Sequence, residues 1–85
     1  MTHKLKLFED FADAVLCGDK NFEVRKNDRG FQKGDLVKFR VIDRALKIAT
    51  GHPLDDETFE ITYVLNGWGI EDRYVVFGIR RADAV

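Results

Sequence analysis

The residues whose types and spacing best suit chemistry lie together in residues 18–25, GDKNFEVR. If this segment is a strand, the side chains of Glu23 and Arg25 project from one face, with their Cα atoms about 6–7 Å apart. Lys20 stands at the strand entrance. Such a group can be an ion-pair cluster with a purely structural role. Alternatively, it is a polar cleft in which Lys20 and Arg25 contact a phosphate or a base edge, while Glu23 orients Arg25 or accepts a hydrogen bond from an exocyclic amine.

Further candidate binding residues occur in turns and at a strand end. Three cations, Lys26, Arg29 and Lys33, lie in or beside the turns that follow the cluster. Flexible cations in such places often contact a nucleic-acid backbone, although these can equally be solubilising charges. Trp68 lies between two glycines, where it can stack on an unpaired base or cap the open end of a barrel. Tyr74 opens the last predicted strand on the face opposite its apolar residues, and we expect it to line the same cleft.

Alternation of polar and apolar residues predicts that most of the chain forms strands. We expect strands at residues 3–7, 20–25, 35–42 and 58–65, and a last strand whose core side is formed by Val75, Phe77 and Ile79. In residues 20–25, Phe22 and Val24 share one face, and Glu23 and Arg25 share the other. Residues 43–56 show no clear period, and their structure is left open.

One segment has a helical period instead of an alternating one. Residues 8–17 place five apolar residues on one side of a helix: Phe8, Phe11, Ala12, Val15 and Leu16. Gly18 is suited to end that helix in a left-handed conformation. The predicted architecture is therefore α+β: a small barrel of five to six strands with one helix between the first two strands. We expect residues 1–85 to form a single domain.

Composition restricts the class of protein further. Fourteen Lys and Arg nearly balance fifteen Asp and Glu, for a net charge of −1, which excludes a polycation that binds nucleic acid by bulk charge. The charge is uneven, however, because residues 18–44 carry eight cations and five acids. A local basic patch is one interpretation of this segment, and solvated strand edges are the other.

No metal site, cofactor or membrane segment is expected. Cys17 is the sole cysteine and cannot form an intramolecular disulfide, and His3 and His52 lack the spacing of zinc ligands. No apolar run approaches the roughly 18–20 residues of a membrane span, and the first residues lack the apolar core of a signal peptide. We therefore expect a cytoplasmic protein, and a monomer by default.

The cluster and its context resemble a known family. The pattern G-x-K-x-x-E-x-R directly after a helix, with Gly34-Asp35 about ten residues later, resembles the signature of ASCH (activating signal cointegrator homology) domains. These domains belong to the PUA-like superfamily of RNA-associated small barrels. The segment from Asn66-Gly67 to Phe77 is also similar to a short ASCH-like group of bacterial and phage proteins. The resemblance covers nearly the whole chain and is weakest across residues 43–56.

The resemblance implies an RNA-binding or nucleotide-binding module that uses the motif cleft. It also implies an alternative, because some ASCH-like proteins resemble amidohydrolases that deacylate N4-acetylcytidine, and others are suspected ribonucleases. Lys20 matches the lysine of the amidohydrolases, but Glu23 stands where those proteins have a threonine nucleophile. If the chain is an enzyme, Lys20 and Glu23 are its candidate catalytic residues, and the reaction is metal-independent hydrolysis of a modified nucleoside or of RNA. The residues favour binding over catalysis, and they do not specify which RNA or base is bound.

Overall fold

The computed structural model describes residues 1–82 and confirms a small α+β chain with a helix between its first two strands. In chain order, the elements are β1 (Thr2–Phe8), α1 (Glu9–Cys17), β2 (Phe22–Lys26), β3 (Leu36–Ile42), a short 3-10 helix (Pro53–Asp56), β4 (Thr58–Leu65) and β5 (Tyr74–Arg81). The predicted and observed bounds of β4 are the same. The other predicted elements that have stated bounds differ from the observed ones by at most two residues at either end.

The five strands form one sheet in the order β1-β3-β4-β5-β2. β1 pairs with β3 in parallel, and every other neighbouring pair is antiparallel. The sheet curls into a half-barrel that does not close. β1 and β2 are therefore its two edge strands, although they are the first two strands along the chain.

The core lies on the concave side of the curled sheet. Each strand contributes alternate residues to it, as the two-residue period requires. The largest fully buried side chains are Phe77, Leu54, Ile61, Val37 and Val41. Leu54 comes from the 3-10 helix, so part of the segment without a clear sequence period contributes to the core.

Helix α1 packs on the sheet through the predicted face, with the exception of Phe11. Ala12 and Val15 are buried, and Leu16 is partly buried against the core, but Phe11 is 41% exposed. The prediction that Phe11 is a core residue is wrong. Phe11 instead lies beside residues of β1 and β2.

Strand β2 turns its polar face inward. The predicted division of side chains between its faces is confirmed, but Phe22 and Val24 lie on the exposed outer face. Glu23 is buried and Arg25 is half-buried on the concave side. Among residues 1–82, β2 is the only strand with charged residues at two consecutive inward positions, and it is an edge strand.

Residues 43–56 form turns and the 3-10 helix. Their strand-like pairing within the described chain is limited to an isolated bridge between Ile42 and Ala49. In the same described part, no helix has both the length and the hydropathy needed to cross a bilayer.

Candidate functional site

The open side of the half-barrel is a seam between the edge strands β1 and β2. No backbone ladder joins these two strands in residues 1–82. Instead, two arginines reach across. Arg25 donates from Nη2 to the carbonyl oxygen of Lys6 at 2.8 Å, and Arg29 donates from Nη1 to that of Lys4 at 2.9 Å. At the seam, these side-chain hydrogen bonds therefore join two strands that no backbone ladder joins within residues 1–82.

Glu23 is the buried acid at the centre of this seam, with 3% of its side chain exposed. Its Oε1 accepts a hydrogen bond from Lys20 Nζ at 2.6 Å, and its Oε2 accepts one from Arg25 Nε at 2.9 Å. A buried carboxylate is stable only when it is paired and hydrogen-bonded, and here each oxygen has its own cation. The cluster inferred from the sequence is thus assembled in the structure.

The end of helix α1 places Lys20 in the cluster. Gly18 adopts a left-handed conformation with φ of 90°, and its N–H donates to the carbonyl oxygen of Val15. The N–H of Lys20 then donates to the carbonyl oxygen of Ala14 at 2.9 Å. Glycine tolerates this positive φ without steric cost, so the chain reverses sharply and places Lys20 just before β2, within reach of Glu23.

Aromatic rings surround the ammonium group of Lys20. Its Nζ lies 5.5 Å from the ring centroid of Phe11 and 5.2 Å from that of Phe22. It also donates to the carbonyl oxygen of Phe22 at 3.0 Å. Cation–π attraction and two hydrogen bonds hold the ammonium in one position. The ring of Phe11 therefore has a role at the site that replaces its predicted role in the core.

A pocket of about 460 Å³ opens on the seam. Its lining combines apolar and charged side chains from three elements: Lys6, Leu7, Phe8, Phe11, Lys20, Glu23, Val24 and Arg25. Three cations and one carboxylate leave an excess of two positive charges. A volume in this range, with mostly apolar walls and a few fixed polar groups, is typical of small-molecule sites.

Sequence reasoning missed part of this lining. Lys6 belongs to β1, and the sequence predicts for it only a place in the strand at residues 3–7. Phe8 and Phe11 had been assigned to the helix core. The helical period places Phe11 on the same side as Val15, so it gave no signal that Phe11 lines a pocket.

The other predicted site residues lie outside the pocket. Lys26 is exposed on β2, and Arg29 is held at the seam by its bond to β1. Trp68 is 91% exposed, so it does not cap the half-barrel. Tyr74 was expected to line the same cleft, but it borders a separate hollow of about 520 Å³ with residues of the β4–β5 loop. Tyr74 pairs with Lys26 across β5 and β2, so its side chain lies on the face of the sheet opposite that of Glu23 and Arg25.

A second buried polar pair lies at the start of β1 and β3. Nε2 of His3, a buried residue, lies 2.7 Å from Oδ2 of Asp35, and the ring of His3 packs against Phe31. The hydrogen bond with His3 and one from the N–H of Gln32 lower the pKa of Asp35 below its ordinary value of 3.8, against the opposing effect of burial. This pair joins the beginnings of two parallel strands and does not border the pocket.

The histidines and the cysteine remain separate from one another. His52 accepts from the N–H of Leu54 through Nδ1 and contacts Asp13 through Nε2 at 2.7 Å. Residues 1–82 contain no group of three or more His, Cys, Asp or Glu side chains that could hold a metal ion.

Fold and site together define a small α+β half-barrel with a cationic, aromatic-walled pocket between its edge strands. The family model of a domain of unknown function, DUF3850, matches residues 2–79. Since this match covers most of the chain, the chain belongs to the DUF3850 family. A search of curated proteins found no match.

Proposed function

We propose that the chain is an RNA-binding or nucleotide-binding module of the ASCH type, whose seam pocket accepts one base or one nucleotide. In this proposal, the half-barrel is an open variant of the PUA-like barrel. The observation that carries the proposal is the convergence of Lys20, Glu23 and Arg25 on one pocket whose other walls are aromatic or aliphatic.

The contacts within the pocket suggest how a nucleotide would be held. Lys6, Lys20 and Arg25 provide charge-assisted donors for phosphate oxygens. Phe8 and Phe11 provide aromatic surface for a base. Both oxygens of Glu23 already accept hydrogen bonds from Lys20 and Arg25, so its proposed role is to orient these two cations.

The hydrolase alternative is kept because Lys20 and Glu23 are in direct contact inside a pocket. Acyl transfer to the protein would need a hydroxyl or thiol nucleophile, and the pocket lining within the described chain contains neither. The remaining route is attack by a water molecule with Glu23 as general base and Lys20 polarising a carbonyl. Incubation with N4-acetylcytidine and short RNAs, followed by chromatography, would detect any product. Turnover would show that the chain is a hydrolase and would contradict the proposal that it only binds its ligand.

Binding itself is tested best with variants that remove neither Glu23 nor the two cations bonded to it. Phe11→Ala removes a half-exposed pocket wall, and Lys6→Gln removes a pocket cation that is not bonded to Glu23. Fluorescence anisotropy with short single-stranded RNA should show that the Phe11→Ala variant binds more weakly than the parent. The expected loss of binding free energy is roughly 1–3 kcal/mol, which is what the stacking of one base contributes. Lys6→Gln should also weaken binding and should reduce its salt dependence.

Lys33→Gln is the matched control, since Lys33 is exposed and does not line the pocket. It should bind RNA as the parent does. Equal affinity of the parent, Phe11→Ala and Lys6→Gln for every RNA and nucleotide offered would contradict the proposal that this pocket is the binding site.

A further inference from the structure

The charge of the seam pocket distinguishes between two kinds of phosphate. Among residues 1–82, its lining holds the cations Lys6, Lys20 and Arg25 and one acid, Glu23, which leaves two positive charges without a counter-charge in this part of the lining. An internal phosphodiester of RNA carries one negative charge. A phosphate monoester carries about 1.5 to 2 negative charges at pH 7, because its second pKa is near 6.

Hydrogen-bond donors remain available for such a group. Arg25 uses Nε for Glu23 and Nη2 for the carbonyl oxygen of Lys6, and its Nη1 group has no partner among residues 1–82. Lys20 has two hydrogen bonds to acceptors and a third N–H to offer. Lys6 is exposed at the pocket wall. A terminal phosphate offers three oxygens to these donors, whereas a diester offers two.

The shape of the site also limits how a chain could pass through it. Arg25, which lines the pocket, spans the seam to Lys6, and Arg29 spans it to Lys4, so two side-chain bridges interrupt the gap between β1 and β2. The end of a nucleotide chain or a free mononucleotide can enter the pocket from its open side. A continuous strand would have to bend over the bridges.

We infer that the ligand of the seam pocket is a nucleotide that carries a phosphate monoester, either free or at the end of an RNA. This inference rests on the proposed function and narrows it from RNA or nucleotide to one chemical class. The nucleoside lies against Phe8 and Phe11, and the terminal phosphate neutralises the excess charge of the cations.

The test compares two probes that differ by one charge: a nucleoside 5′-monophosphate and its methyl ester. Isothermal titration calorimetry at pH 7.5 should show tighter binding of the monophosphate by about fivefold or more, the factor that one additional unit charge at ~4 Å gives in water. Between about pH 5.5 and 7.5, affinity for the monophosphate should rise as its second proton is lost. The methyl ester has no such proton and should show no rise. The lining formed by the described residues contains no histidine, the side chain that ordinarily titrates in this range.

Further probes separate the possible failures. RNA with a 5′-phosphate or a 3′-phosphate should bind more tightly than the same RNA with hydroxyl ends, and Lys6→Gln should reduce this preference while Lys33→Gln retains it. If RNA with a terminal phosphate and the same RNA with hydroxyl ends bind equally well, the monoester inference is wrong and the proposed function stands. If inorganic phosphate competes as well as the mononucleotide, recognition of a nucleotide is wrong. If no RNA, nucleotide or phosphate binds, the proposed function fails as well.

Discussion

At the scale of single residues, the carboxylate of Glu23 determines what its neighbours can do. It is buried between Lys20 and Arg25, and each cation bonds a different oxygen. The motif pattern therefore has a structural role in the free protein, whatever ligand it binds. Substitution of Lys20 or Arg25 tests stability and binding together, and stability must be measured first.

Lys20→Ala should lower the free energy of unfolding by about 1–3 kcal/mol, because it removes the 2.6 Å hydrogen bond to a buried carboxylate oxygen. Lys20→Ala leaves one oxygen of Glu23 without its donor, and the double variant Lys20→Ala/Glu23→Ala removes this carboxylate as well. It should therefore lose less stability than the sum of the two single variants, by about 0.5 kcal/mol or more. Urea denaturation of the four proteins measures this coupling.

Lys26→Ala is the control for this cycle, since Lys26 is on the same strand and exposed. Its stability should stay within about 0.5 kcal/mol of the parent. Strict additivity in the cycle would show that Glu23 does not depend on Lys20 for its stability in the fold.

At the scale of elements, the helix and the two edge strands build the site between them. α1 contributes Phe11, its C-terminal turn delivers Lys20, and β1 and β2 provide the two sides of the seam. The same rotation of the helix that buries Ala12 and Val15 directs Phe11 into the pocket. The orientation in which the helix packs on the sheet is thus also the orientation that completes the pocket.

The orientation of α1 predicts an inverted order of mutational effects. Val15→Ala should cost roughly 2–3 kcal/mol, because Val15 is buried and the variant leaves a cavity. Phe11→Ala removes a much larger side chain but should cost only roughly 1 kcal/mol, since Phe11 is partly exposed. Thermal and urea denaturation of both variants measure the order. If Phe11→Ala lowered the free energy of unfolding more than Val15→Ala did, Phe11 would be a core residue and the described helix orientation would be wrong.

At the scale of the whole molecule, two side-chain systems supplement the backbone pairing of a sheet that does not close. The arginine bridges join β1 to β2 at the seam. The His3–Asp35 pair joins the starts of β1 and β3, strands that lie far apart along the chain. The second system is sensitive to acid, because it depends on an ionised carboxylate.

Asp35 should make the stability of the protein depend on pH at the acid end. Its pKa is lower in the folded protein than the ordinary 3.8, chiefly through the hydrogen bond with His3. A lowered folded-state pKa contributes stability above the unfolded-state value, and this contribution is lost as pH falls through the folded-state value. Thermal melts should therefore show a loss of stability below about pH 4 that is smaller in Asp35→Asn.

Asp35→Asn should also be less stable than the parent at neutral pH and approach it in acid. Parallel loss of stability in parent and variant below about pH 4 would show that Asp35 is not the group responsible.

Local sequence patterns predicted much of the fold. The two-residue period located the strands, and the change of period with Gly18 located the helix, because side-chain direction within one element depends only on local backbone geometry. The same rule placed Glu23 and Arg25 on one face of β2. The charged cluster was therefore predictable from residues 18–25 alone.

Tertiary structure decided which faces became the core and what stands opposite the cluster. Hydrophobicity favours Phe22 and Val24 as the inward face of β2, but at an edge strand two ion pairs and a bond to Lys6 allow the polar face inside. Lys6 is distant from Arg25 along the chain and reaches it only because the sheet order makes β1 and β2 its two edges. Strand order is a property of long-range pairing, and no local period encodes it. The sequence thus determined the elements and the charged motif, and the curled sheet determined the pocket.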